Sequence, residues 1–304
     1  MRRPVRRLVT GLVALVAMAG CSSSDGSPGV VPAESVGTTD PAAPSSEPAP
    51  PSGPRYVALG DSFTAAPGVG EASGPADCLR TDGNYPHLLA ERLDLDLVDV
   101  SCVGATSADL RAVQGSPDRG LPPQLDAIDA RTGLVTLSIG ANDDGLFGSL
   151  VRSCAGFAGI ATDQLCLAQG RFAEDRLVRG FDALAVQTER SVAAIRKRAP
   201  KAQVIVVGYP QLVPAAGTCD RLPMSRAEVV FVHDVNRRLA DALRRGAVTA
   251  GVEYVDMWAA SEGHDACAAD PWVAGVQPEE PGAPLHPYAA HQVAVADALE
   301  TLVG

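Results

Sequence analysis

The sequence predicts an α/β fold built on a parallel sheet with helices on both faces. Three observations carry that prediction. From Arg55 to the C-terminus, apolar runs of strand type alternate with helix-type runs, the signature of strand–helix–strand units. The run Leu134–Ile139 is nearly all apolar, as a strand buried on both faces should be. Three of the strand ends offer Ser62, Gly104 and Asn142, which the fold should gather at the carboxyl edge where open α/β sheets place their sites.

The N-terminus stands outside that fold. Four arginines within Met1–Arg7 precede the apolar stretch Leu8–Gly20, a secretory leader too short for a secure transmembrane helix. It closes on Met18-Ala19-Gly20-Cys21, which resembles a bacterial lipobox with Cys21 as the lipidated residue, although Met stands where Leu is commoner. The plainer alternative is an ordinary cleaved leader that leaves Cys21 unpaired. Ser22–Pro54 is rich in Ser, Pro, Ala and Gly and holds too little apolar surface to fold, so it reads as a tether. The expected organisation is a signal peptide over 1–20, a tether over 21–54 and one catalytic-sized domain over 55–304.

Within the domain, Val57–Leu59 is the first strand. It ends at Gly60-Asp61-Ser62, followed by a small-residue loop to Gly68. A strand that stops at Gly and presents Ser can expose a nucleophile, but this is not the Gly-x-Ser-x-Gly elbow. Glu71–Asp82 is polar and loop-like. Asn84–Leu93 reads as a helix with Asn84 as N-cap and Pro86 in its first turn. Leu95–Val100 is the second strand and Leu134–Ile139 the third. Cys154–Cys166 lies in a loop excursion, and Phe172–Arg198 is a long helix with apolar residues at helical spacing. Gln203–Val207 is the fourth strand. Ser225–Ala250 is a second long helix, opened by a Ser225/Glu228 capping box. Val252–Val255 is a short fifth strand, and Pro287–Val303 is the closing helix. No internal repeat is visible.

Composition narrows the function. The 304 residues are 46% apolar and 20% charged, enough for one large domain or two small ones. Net charge is −11, and loss of the leader arginines makes it four units more negative. So acidic a surface argues against nucleic acid or anionic membrane as a partner of the folded domain. The only lysines are Lys197 and Lys201, beside each other near a helix end, which disfavours a Ser-Lys dyad. Seven cysteines leave an even six once Cys21 is set aside, and export permits disulfides. No pair has zinc spacing, and six cysteines allow fifteen pairings.

An acyl-transfer site needs a nucleophile, a base and donors for an oxyanion. Ser62 can attack, the amides of Ser62 and Gly104 can donate, and Asn142 adds an uncharged amide. Five histidines are available as base: His87, His233, His264, His286 and His291. Asp61 reads as structural, since neighbouring strand-end side chains point apart. Asp143 reads as a brace for the Asn142 loop, His87 as a packing residue and His233 as solvated. His264 belongs to a loop that rims the pocket, and Trp258 and Trp272 are core or pocket wall.

Taken together, Gly60-Asp61-Ser62, Gly104 in Cys-Val-Gly-Ala-Thr, Gly140-Ala141-Asn142-Asp143 and His286-Pro287 resemble, in order, the four blocks of the SGNH or GDSL hydrolases. Asn84-Tyr85-Pro86, Pro122-Pro123-Gln124-Leu125 and Pro271-Trp272-Val273 are similar to the secreted actinobacterial esterase and lipase branch. The resemblance implies a flavodoxin-like three-layer α/β/α sandwich, no cofactor and no metal. It implies Ser62 as nucleophile, His286 as base, and Ser62, Gly104 and Asn142 as oxyanion hole. It also implies the disulfides Cys78–Cys102 and Cys219–Cys267, and Cys154–Cys166 would close a short local loop. One position departs: where the wider family carries Asp, three residues before its His, this chain has Ala283. The expected site is therefore a Ser-His dyad with the Ala283 carbonyl holding the imidazole. The expected partners are an ester or lipid substrate and a membrane reached through the Cys21 anchor, with no nucleic acid and the protein a monomer. A phospholipase or acyltransferase with the same residues, or a catalytically silent envelope-binding lipoprotein, are the alternatives.

Overall fold

The computed structural model describes residues 53–114, 120–154 and 172–304. Among them, β1 Arg55–Gly60, β2 Asp96–Asp99, β3 Thr132–Ser138, β4 Gln203–Val207 and β5 Glu253–Val255 form one sheet in the order β2-β1-β3-β4-β5. Every pairing is parallel. The helices are α1 Ser62–Ala65, α2 Tyr85–Leu93, α3 Leu146–Cys154, α4 Glu174–Arg198, α5 Arg226–Ala250, α6 Met257–Ala260 and α7 Ala289–Val303.

The alternation of side chains along each strand makes two cores. Val57, Leu59, Val135, Leu137, Val204 and Val206 pack under α4 and α5. Tyr56, Ala58, Leu134, Ile205 and Val207 pack under α2 and α7. Ile205, fully buried in the second core, illustrates the energy scale: Ile205→Ala should cost about 2–5 kcal/mol.

Local rules explain the helix starts. The Asn84 side chain accepts the His87 amide, and the Ser225/Glu228 capping box is formed. The stretch after Gly60, expected as a loop, begins instead with α1. The Asp61 carboxylate caps it by accepting the Phe63 N–H, and Ala66 ends it at φ 51°. Cys154, expected to open a loop, ends α3. The remainder of that excursion, with Cys166, lies outside the described residues, as do the leader and the tether up to residue 52.

Two expected disulfides are present. Cys78–Cys102 joins the loop before α2 to the loop after β2, which carries Gly104. Cys219–Cys267 joins the loop before α5 to the segment after α6 that leads to His286. Each closes a long loop and should contribute about 2–4 kcal/mol. The third expected pair, Cys154–Cys166, needs Cys166, which lies outside the described residues.

The strand order decides what meets at the carboxyl edge. Because β1 lies between β2 and β3, the turn after Gly60 is flanked by the loops that follow those two strands. Ser62 thus has the Gly104 loop on one side and the Asn142 loop on the other.

Candidate active site

The nucleophile turn is held tightly. Gly60 donates its N–H to Gln124 Oε1 and accepts from Gln124 Nε2, both at 2.9 Å. A Cβ on Gly60 would collide with the Thr64 hydroxyl, so the strand-to-helix turn needs glycine there. Ser62 is the first residue of α1, so its N–H has no partner inside that helix.

His286 Nε2 lies 2.8 Å from Ser62 Oγ. On its other side, His286 Nδ1 lies 2.8 Å from the carbonyl oxygen of Pro284. A carbonyl only accepts, so Nδ1 carries the proton and Nε2 is the lone-pair nitrogen that faces the serine. This corrects the expectation for Ala283. The Ala283 carbonyl is taken by the backbone N–H of His286 at 3.1 Å, closing a turn. That turn leaves the Pro284 carbonyl, one residue on, for the ring. Leu285 within it has φ 56°, a left-handed conformation rare for a branched residue, and its buried side chain anchors the turn in the core. The segment is also fastened to its neighbour: Ala274 N–H donates to His286 O and Tyr288 N–H to Trp272 O. Among the described residues the ring nitrogen Nδ1 is met by this carbonyl and not by a carboxylate, and Glu279 binds Arg221 at 2.9 Å. The imidazole packs against Phe63 and Phe147, with ring centroids 5.4 and 5.3 Å away. Burial disfavours its charged form and lowers its pKa below 6.5, while the bond to Pro284 O works weakly the other way.

The flanking loops bring up the expected donors. Gly104 has φ 78°, and its surroundings are open on the side where a Cβ would stand, so a substrate can approach its backbone. Asn142 Nδ2 donates to Ala105 O at 3.0 Å, which fixes the amide and leaves its second N–H free of that bond. Asp143 accepts from the amide of Ser107 at 2.8 Å and from its hydroxyl at 2.5 Å, tying the Gly104 and Asn142 loops together. Burial raises its pKa and those two bonds lower it.

The other histidines lie elsewhere. His291 is buried in α7 with neither ring nitrogen bonded among the described residues, and burial pushes its pKa down to about 3. His264 stacks on Trp272 at 4.2 Å with Nδ1 against Asp270 O. His233, expected to be solvated, is half-buried, bonds Val213 O and packs edge-on to Trp258. His87, expected as a packing residue, belongs to a polar chain: Ser73 Oγ at 3.2 Å from Nε2, Nδ1 on Asn84 Oδ1 at 2.7 Å, and Asn84 Nδ2 on buried Asp99 at 2.7 Å.

Several supporting residues escaped the sequence reading. Pro284 supplies the carbonyl, Gln124 clamps Gly60, Ser107 meets Asp143, and Gln292 joins α7 to the nucleophile turn through Phe63 O and Tyr85 N–H. Gln124 and Gln292 were visible as polar residues within apolar stretches, whereas Ser107 carried no local signal.

Comparisons with known proteins bear on the family and the fold. Residues 58–292 match the model of the GDSL-like lipase/acylhydrolase family. The chain is similar to Lipase 2 of Streptomyces coelicolor, 34% identical over 99% of this chain and 98% of that one. Its fold superposes on the crystal structure of phospholipase A1 from Streptomyces albidoflavus with a TM-score of 0.67, 28% identity, and coverage of 82% and 98% of the two chains. An extracellular lipase from Streptomyces rimosus gives 0.65 with 26% identity over 82% and 99%.

Proposed function

The chain belongs to the GDSL-like lipase/acylhydrolase family and is a carboxylic ester hydrolase, and we propose that it cleaves its esters through a Ser62–His286 dyad and a Ser62/Gly104/Asn142 oxyanion hole. The observation that carries this reading is the 2.8 Å contact between Ser62 Oγ and the lone-pair nitrogen of His286. Ser62 Oγ attacks the ester carbonyl while His286 Nε2 takes its proton. Negative charge gathers on the former carbonyl oxygen, where the Ser62 and Gly104 amides and the Asn142 side chain receive it. The C–O bond breaks and the imidazolium gives its proton to the departing alcohol. Water then attacks the acyl-serine by the same steps, releasing the acid and restoring Ser62. Pro284 O holds the imidazole in the correct tautomer throughout, without the charge a carboxylate would add.

The relatives, named lipases and a phospholipase A1, support esters of lipids and related acyl chains as the substrate class. The leader ending at Cys21 and the polar stretch after it support export, with a lipidated Cys21 anchoring the enzyme to the membrane. Hydrolysis of chromogenic esters of increasing acyl length tests the reading. Turnover that disappears in Ser62→Ala supports it, and no turnover on any ester by the folded wild type contradicts it. Mass analysis of the mature N-terminus tests the anchor: diacylated Cys21 supports it, and an unmodified Cys21 in the medium contradicts it.

A further inference from the structure

The two halves of the proposed site are joined by a residue that belongs to neither. Tyr209 follows β4, two residues past Val207, and is fully buried. Its hydroxyl donates to Asp61 Oδ2 at 2.6 Å and accepts the backbone N–H of Ala141 at 3.1 Å. Asp61 immediately precedes the nucleophile Ser62 and caps the helix on which Ser62 sits. Ala141 immediately precedes the oxyanion residue Asn142. One phenol thus grips the residue next to each reacting group, and its ring is held edge-on against Phe63 of the same nucleophile helix at 5.0 Å.

We propose that Tyr209 is a positioning residue that sets the separation between the nucleophile turn and the oxyanion turn by bridging Asp61 and Ala141. The inference rests on the dyad and oxyanion reading given above. The Asp61 carboxylate transmits one side of the bridge, because its other oxygen is committed to the Phe63 N–H at 3.0 Å and so cannot move without α1. The Ala141 amide transmits the other, because Gly140 and Asp143 form a tight turn around it, Asp143 N–H donating to Gly140 O at 3.1 Å. No proton needs to leave Tyr209: burial and the neighbouring Asp61 charge hold its ionisation well above the ordinary tyrosine range, so it stays a neutral hydroxyl that donates once and accepts once. The substrate never touches it. Its effect should appear in the chemical step, where nucleophile and oxyanion donors must fit one tetrahedral centre, and not in the binding of the ester.

Tyr209→Phe keeps the ring and deletes the bridge. Small misplacements at reacting centres cost up to about 10²-fold, so kcat on a short chromogenic ester should fall by about 10–10²-fold while KM stays within about twofold. The fall must persist at temperatures well below the melting transition of the variant. Asp61→Ala removes the other end of the same bridge, so Tyr209→Phe combined with Asp61→Ala should lose little more than the worse single variant, a clear departure from additivity. Ser62→Ala, measured alongside, separates the two levels of the argument: if it retains turnover, the dyad reading fails. If Ser62→Ala is inactive while Tyr209→Phe keeps wild-type kcat and only its melting temperature drops, Tyr209 is structural and the positioning role is refuted. Strictly additive losses in the double variant would also refute the bridge.

Discussion

Two serine–histidine pairs stand out among the described residues, and by contacts alone the one outside the proposed site looks better equipped. Ser73 Oγ lies 3.2 Å from His87 Nε2, and behind His87 stand Asn84 and the buried carboxylate of Asp99. Ser62 and His286 are closer, at 2.8 Å, but only a backbone carbonyl stands behind the histidine. The difference lies in what surrounds the serine. Ser62 opens a helix at the end of the inner strand β1, between two loops that bring Gly104 and Asn142. Ser73 lies in a loop near the edge strand β2, with its neighbours committed. Its own N–H goes to Arg80 O, while Arg80 Nε bonds Ser73 O and Nη1 bonds Ser101 O. The Ser73 pair fastens a loop onto α2. A hydroxyl against an imidazole is a common contact, and a place for the oxyanion is what turns it into a site.

Exchanging the two pairs gives the largest expected contrast. Ser62→Ala should lower ester hydrolysis by about 10³-fold or more, whereas Ser73→Ala should stay within about twofold of wild type. His286→Ala should match Ser62→Ala, and His87→Ala should keep turnover while losing about 1 kcal/mol of stability with the Asn84 bond. Comparable losses at both serines, read by steady-state kinetics, would erase the distinction. Next comes the oxyanion side: Asn142→Ala should cost about 10²–10³ in kcat, and wild-type turnover in that folded variant would remove Asn142 from the hole.

A smaller effect concerns the missing carboxylate. Glu279→Gln and Glu280→Gln should keep most activity, since neither serves the His286 ring. Burial holds the His286 pKa below 6.5, and only its neutral form can accept the Ser62 proton. Activity should therefore be retained as pH falls through 6.5 and decline only below the lowered pKa. A kcat/KM profile whose acid limb lies above 6.5 would indicate an unseen anion at the histidine.

The smallest effect on turnover, and a distinct one on stability, belongs to the pH dependence of Asp61. Burial raises its pKa to about 7, against the bonds from Tyr209 and the Phe63 amide that lower it. Its folded pKa exceeds its unfolded one, so the folded protein binds more protons across the window from about 4 to 7. Stability from this group is full below that window and is lost as pH rises through it. Relative to wild type, Asp61→Asn should gain stability between pH 4 and pH 8, on the order of a few kcal/mol. Denaturation midpoints whose difference does not change with pH would contradict the shift.

Much of this architecture was legible because it rests on local rules. Gln203–Val207 was read with its observed bounds from an apolar run, and the caps at Asn84 and Ser225 from side-chain chemistry alone. The four-residue α1 was not legible, since so short a helix shows no period and stands on its Asp61 cap and on packing. Ser62 and His286 were named from motifs, and the fold brings them into contact. Which carbonyl holds the histidine depended on the turn at Ala283–His286, where one oxygen is consumed by the backbone and the next is left over. Tyr209 and Ser107 act only across strands that sequence order keeps apart, so nothing local announced them.

The most direct test of the central claim is to label the folded protein with a fluorophosphonate and map the modified peptide. The account predicts one stoichiometric adduct at Ser62, lost in His286→Ala, with Ser73 unmodified even when Ser62 is replaced by Ala. An adduct at Ser73, or labelling of Ser62 that persists undiminished without His286, would contradict it.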